Sequence, residues 1–196
     1  MMTLPVFLAA WLAMMAAMMA PSVYPTVRLF AGASRSRADL GVRPAPTWLF
    51  VAGYLVVWTA FGLPIYLVIS LVPMGMFGPV ERGCALLLAG AYQLTKWKST
   101  CLGHCRSPVF FLMHAWRDGP AGTLIMGAHH GTYCVECCWG LMLVLTVLGV
   151  MNLVWMVVVA GAIFVEKVLP HGARFGRVLG IVMMAIGAFL LLRGVH

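Results

Sequence analysis

Apolar runs close to or beyond ~18 residues recur along the whole chain, and the connections between them are short and basic. No other feature constrains the fold as strongly, because a run of that length can bury itself in hydrocarbon only if its backbone hydrogen bonds close within the segment. Only 9% of the 196 residues are charged and 63% are hydrophobic, whereas a soluble domain carries roughly 25% charged residues. The chain therefore reads as all-α: a polytopic membrane helix bundle of about six transmembrane helices, one integral membrane domain over residues 1–196. A short interfacial or re-entrant segment is expected before the fourth helix. The net charge of +8 does not point to nucleic acid. The basic residues sit in the connections, where they set topology and meet headgroups, so the lipid bilayer is the first partner. Six cysteines, most of them clustered and with no extramembrane domain to staple, argue against a disulfide framework.

The first span covers about Pro5 to Phe30. No Lys or Arg precedes it, so it lacks the n-region of a signal peptide and reads as a retained helix. Its residues Met14, Met15, Met18 and Met19 form two i,i+4 pairs within an arc of roughly 140°, and Pro21 is expected to kink the helix. Ala31 to Pro46 reads as a polar connection carrying Arg35, Arg37 and Arg43 against Asp39. The second span covers about Thr47 to Val72, followed by an uncharged turn from Pro73 to Pro79. The third, about Glu81 to Lys96, is short for a crossing. Lys96 to Thr132 is the longest non-spanning segment. Within it Pro108 to Trp116 reads as an interfacial helix, and the Gly-rich stretch Gly119 to Gly131 as a re-entrant piece.

The last three spans cover about Tyr133 to Gly149, Leu153 to Val165 and Gly176 to Leu192, with turns at Met151-Asn152 and Leu169 to Arg174. Lys and Arg concentrate in the first, third and fifth connections. That places Arg35, Lys98 and Arg174 in the cytoplasm, and the turns at Gly75 and Asn152 outside with both termini; Arg193 weighs mildly against it.

Five cysteines fall in two clusters, Cys101/Cys105 and Cys134/Cys137/Cys138. Cys101, His104 and Cys105 share one face if the segment is helical, and so do Cys134, Cys137 and Cys138. Two such faces supply a three- or four-thiolate site. The bet on thiolate ligands is Cys101, Cys105, Cys134 and Cys138, with Cys137 or His104 as substitute or exchange ligand. Thiolate and thioether select Cu(I), zinc or iron–sulfur over hard ions. Zinc suits a closed Cys₄ or Cys₃His site, the spacings do not match the common ferredoxin run, and the methionine stripe favours Cu(I). Lys98 and Arg106 flank the first cluster and are expected to favour thiolate. Beside the ligands, His130, Glu136, Glu166 and Lys98 are candidates for supporting contacts.

Blander readings stand next to these. Cys84, alone in the third span, reads as a small core hydrophobe. A methionine stripe on an apolar helix packs more often than it ligates. Glu166-Lys167 reads as an interfacial ion pair, His129 and His130 as interhelical hydrogen-bonding groups, and Gly127 and Gly131 as places where two backbones approach.

The ordered motifs resemble a family of predicted metal-binding integral membrane proteins, some of them described as copper chaperones. The carrying pieces are Trp11…Met14…Ala17-Met18-Met19-Ala20-Pro21, Gln93…Lys98-Ser-Thr-Cys101-Leu102-Gly-His-Cys105-Arg106-Ser-Pro108 and Gly131-Thr-Tyr133-Cys134…Cys137-Cys138-Trp139…Met142. Gly149-Val-Met151-Asn152…Trp155-Met156 and Glu166-Lys167 complete the set, which spans nearly the whole chain. The resemblance implies a bacterial inner-membrane protein with a metal site at these cysteines. Glu136 departs from the pattern, which has Gly between the cysteines, and adds a carboxylate as an extra ligand or proton acceptor.

The expected function is soft-metal, most simply Cu(I), binding in copper handling or delivery, with a membrane protein or recipient metalloenzyme as partner. Two other classes stay open: a thiol oxidoreductase passing electrons between a quinone and a dithiol, and an accessory subunit of a larger membrane metalloenzyme complex. No catalytic residues, cofactor-binding motif or nucleotide-binding motif is assigned.

Overall fold

A computed structural model describes residues 3–41, 46–71, 78–149 and 152–194. The expectations for Arg43, for the turn residues 73–77 including Gly75, and for Met151 lie outside the described residues. These form eight helices: α1 (Leu4–Asp39), α2 (Thr47–Leu71), α3 (Pro79–Gln93), α4 (Lys96–Arg106), α5 (Pro108–Ala115), α6 (Gly119–Gly149), α7 (Leu153–Val168) and α8 (Gly172–Gly194).

The local chemistry of the boundaries is legible. Pro5 sits in the first turn of α1, where its missing N–H costs no hydrogen bond. Thr95 caps α4 by accepting from the Lys98 N–H at 3.3 Å. Asn152 caps α7 through the N–H groups of Val154 and Trp155. Pro108 separates α4 from α5, a helix over nearly the expected stretch Pro108 to Trp116.

Two expectations need correction. The first span does not stop at Phe30: α1 runs on through Pro21 and Pro25 to Asp39. Its last turns are held by contacts absent from any local pattern. Phe30 stacks on Phe50 and Trp116, with centroids 5.0 and 5.5 Å away, and Arg37 pairs with Asp118 at 3.0 Å.

The second concerns the stretch Gly119 to Gly131. It is not a re-entrant piece but the first half of α6, a helix of 31 residues that the sequence reading started only at Tyr133. Two of its glycines, Gly127 and Gly131, are contact points with α2, in keeping with their reading as places where two backbones approach. A Cβ on Gly127 would lie 1.9 Å from the Phe50 carbonyl oxygen, and one on Gly53 would lie 2.0 Å from that of Leu124. Only glycine lets two helix backbones come this close. The antiparallel pair α3 and α8 uses the same device, with Gly90 against the Gly180 carbonyl.

Among the described residues, four helices are long and apolar enough to cross a membrane: α1, α2, α6 and α8. With 15 and 16 residues, α3 and α7 are shorter. Helix α6 is the hub: 61% of its most apolar window is buried, against 17–33% for the other three. It packs on α2, α3, α4 and α7, so whatever α6 carries on its faces meets the interior of the bundle.

Candidate metal centre

Helix α4 lies against α6 and α7 and is fastened there by charge. Lys98 Nζ donates to Glu166 Oε2 at 2.7 Å with both side chains buried. Gln93 Nε2 reaches Glu166 Oε1 at 2.7 Å. Arg106 donates to the carbonyls of Glu166 and Pro170 at 3.2 and 3.0 Å. Adjacent residues on a helix do not face each other, so Glu166 and Lys167 are not the interfacial ion pair expected of them. Both are buried, and they go to different partners: Glu166 to Lys98, Lys167 to a cysteine.

The clamp brings the two cysteine clusters together. Cys105 Sγ lies 3.8 Å from Cys137 Sγ. Cys101 Sγ donates to Glu136 Oε2 at 3.2 Å. Cys134 Sγ contacts the Lys167 ammonium at 2.8 Å and the Tyr54 hydroxyl at 3.1 Å. Cys138 and Cys137 donate to the Cys134 carbonyl at 2.9 and 3.2 Å. Cys101, Cys134, Cys137 and Cys138 are buried, Cys105 is half-buried, and all five are free thiols. The thiol facing the first cluster most closely is thus Cys137, which the sequence reading held in reserve behind Cys134 and Cys138.

The electrostatics differ from the expectation in one respect. Lys98 and Arg106 do not activate Cys101, because they are spent on α7 and the turn after it. Burial and the hydrogen bond to the Glu136 carboxylate instead push the Cys101 thiol up to about 12. Glu136 is anchored from the other side, where the Tyr92 hydroxyl donates to its backbone carbonyl.

The remaining candidates fall in three places. Met15, Met18 and Met19 are buried and Met14 is half-buried, all packed into the same core cluster as Cys101, Cys134, Cys137, Cys138, Met142 and Met183. The stripe therefore faces the bundle. His104 turns Nδ1 to the Thr100 carbonyl at 3.0 Å and stacks on Tyr133, centroids 4.7 Å apart and planes 9° off parallel. His130 is buried in a box of Phe50, Tyr54 and Phe111, and its Nδ1 finds no hydrogen-bond partner among the described residues. Cys84 is exposed on the outer surface, not a core residue. Among the described residues no three His, Cys, Asp or Glu side chains are arranged to hold a metal ion.

Lys167 and Tyr54 are the partners that sequence reasoning missed. Lys167 had a signal, since a cation at the end of an apolar run is a functional candidate by default. Tyr54 had none, because its role depends on the approach of α2 to α6 at Gly53 and Gly127.

Neither a curated protein nor a solved structure matches the chain. A family model described as a copper chaperone, PpoB2, matches residues 8–190. With almost its whole length covered by that match, and with thiols from two helices gathered in one buried layer, the chain belongs to the PpoB2 copper chaperone family.

Proposed function

We propose that the chain is a six-crossing membrane protein that binds Cu(I) between the cysteines of α4 and α6 and hands it on. The observation that carries this reading is the 3.8 Å separation of Cys105 Sγ and Cys137 Sγ. Two metal–sulfur bonds of ~2.3 Å at a near-tetrahedral angle span about the same distance. Cys101, Cys134 and Cys138 stand within the same buried layer as further thiolates, and His104 is the exchange ligand at its edge. Metal entry displaces the proton of Cys101, which leaves to water by way of Glu136, already its hydrogen-bond acceptor.

The membrane assignment draws support from an inverted polarity. The interior holds Lys98, Glu166, Lys167, His130 and Gln93, while Val56, Leu67, Leu88, Val157, Ile181 and Leu192 stand exposed on the outside. Water does not favour that distribution; hydrocarbon does. Exposed Leu88 and Val157 lie on the two short helices, so α3 and α7 are read as crossings too. At 1.5 Å per residue each is about 23–24 Å long, short of a ~30 Å core but tolerable with local thinning. Lys and Arg in the odd connections put the cysteine layer at the cytoplasmic end, in a bacterial inner membrane. The recipient is a membrane-bound or soluble copper protein docking at that end.

The test is metal analysis of anaerobically purified full-length chain, with Cys105→Ser and Cys137→Ser beside it. Copper in the wild type and none in either variant is the expected result. Zinc or iron in the wild type rejects the Cu(I) assignment. A metal-free chain whose Cys105 and Cys137 oxidise to a disulfide in the presence of a quinone moves the function to thiol oxidation.

A further inference from the structure

Helix α6 carries more soft donors than its cysteines. Met126, His130, Cys134, Cys138 and Met142 follow one another at intervals of four residues, and each is at most 4% exposed. Side chains four apart on a helix are neighbours along one face, with Cβ atoms ~5–6 Å apart. Each interval also turns the face by about 40°, so the row winds slowly around α6. On a peripheral helix that winding would carry half the row out to the surface. On α6 it stays inside, because other helices surround it. The row rises about 24 Å, most of the thickness of a bilayer core.

Two independent observations say that this row serves a ligand. The first is His130. Its Nδ1 is buried without a partner among the described residues, in a box of aromatic rings where a purely packing residue would be Phe or Leu. A buried polar atom left unpaired costs on the order of 1–3 kcal/mol, and a soft metal ion would satisfy it. The second is where the row begins. Met126 lines a cavity of about 660 Å³ shared by His104, His114, His129, Arg117 and Tyr133. His104 and His114 each spend Nδ1 on a carbonyl of their own helix, at 3.0 Å in both cases, which leaves the other ring nitrogen of each for the cavity. At the opposite end, Met142 packs in one cluster with Met15, Met18, Met19 and Met183.

We propose that Met126, His130, Cys134, Cys138 and Met142 form a ladder of soft donors along which Cu(I) steps from the imidazole-lined cavity, past the cysteine layer, to the methionine cluster of α1 and α8. The proposal rests on the Cu(I) reading of the cysteines given above and extends it with Met126, His130 and Met142. Each step is a ligand exchange: a bond to the next donor forms as the bond to the previous one breaks. Copper stays Cu(I) and no electron moves. Thioether and imidazole rungs bind more weakly than thiolate, so the ion rests at the cysteines and passes through the others.

The test uses full-length chain in proteoliposomes, with Met126→Leu and Met142→Leu singly and together. Met113→Leu, at a side chain 75% exposed, is the control. Three quantities are read: copper retained after anaerobic purification, the weaker Cu(I) equivalents seen in titration against a chelator, and the rate at which externally supplied Cu(I) reaches a probe inside the vesicle. Leucine fills nearly the volume of methionine. The expected result is that the ladder variants retain the purified copper, which also shows that they fold, and lose both the weaker equivalents and the transfer, while Met113→Leu matches wild type. Wild type that retains copper, with ladder variants equal to it in all three readouts, overturns the ladder alone. A ladder variant that loses the purified copper also overturns it, since the methionine would then be structural. Wild type that binds no Cu(I) overturns the cysteine reading first, and the ladder with it.

Discussion

Cys101 and Cys134 are both buried thiols in one layer, yet their partners are opposite. Cys101 on α4 faces a carboxylate, Glu136, at 3.2 Å; Cys134 on α6 faces an ammonium, Lys167, at 2.8 Å and a phenol at 3.1 Å. The first pairing stores a proton on sulfur, and the second offers the sulfur a charged donor, the Lys167 ammonium. In the proposed metal site built across them, one helix face would have to release a proton to bind, and the other already meets an ammonium donor. For the proposed Cu(I) site the difference assigns the roles: α6 would present the sulfur, and α4 would complete the site.

The largest expected effect comes from breaking the clamp that sets the two faces opposite each other. Lys98→Met leaves Glu166 buried without its cation. Removing one partner of a buried ion pair costs roughly 3–5 kcal/mol, so thermal unfolding of the chain in detergent should fall well below wild type, with copper lost. Lys98→Met/Glu166→Gln should recover much of the stability, because the uncompensated charge is gone.

Next comes Lys167→Met, which strips the ammonium from Cys134. Hydrogen bonds to charged groups contribute about 1.5–3 kcal/mol, so Cu(I) affinity in chelator competition should drop about ten- to a hundredfold. Lys167→Arg should restore part of it. An unchanged affinity would mean that Cys134 stands outside the site.

Smaller, and opposite in sign, is Glu136→Gln. Because the Cys101 thiol is pushed up to about 12, its proton is still bound at neutral pH and must leave on ligation. Copper affinity should therefore rise with pH, by up to about tenfold per unit for one proton released. Replacing the carboxylate removes one cause of the raised value, so affinity at neutral pH should increase in Glu136→Gln. A pH-independent affinity in wild type would exclude Cys101 as a ligand.

The smallest effect is expected from the quadruple change of Met14, Met15, Met18 and Met19 to Leu. Three of the four are buried in the core that holds the cysteines, but each Leu keeps the volume, and such swaps usually cost under about 1.5 kcal/mol. Copper retained at the cysteines should match wild type, while delivery beyond them slows. Equal delivery would assign the stripe to packing.

How much was legible beforehand follows from what each residue depends on. The spacing of Cys101 and Cys105, and of Cys134, Cys137 and Cys138, already placed each set on one helix face, and the family resemblance rests on those same motifs. The extent of α6 was not legible even though Gly127 and Gly131 read as places of backbone approach, because a Gly-rich stretch also suits a loop until a second backbone lies against it. The pairing of Glu166 with Lys98 was hidden for the same reason: a partner 68 positions away leaves no mark on local pattern.

The sequence by itself determined that this chain is helical, apolar beyond what a soluble core allows, and equipped with thiols in two helical registers, because composition and periodicity are properties of single segments. Only the tertiary structure decided that Cys137 and not Cys138 meets Cys105, that Lys167 belongs to Cys134, and that the methionine stripe looks inward. Those are contacts between segments, set by how closely α2, α4 and α7 approach α6, and that distance is fixed by glycines and buried charges acting together.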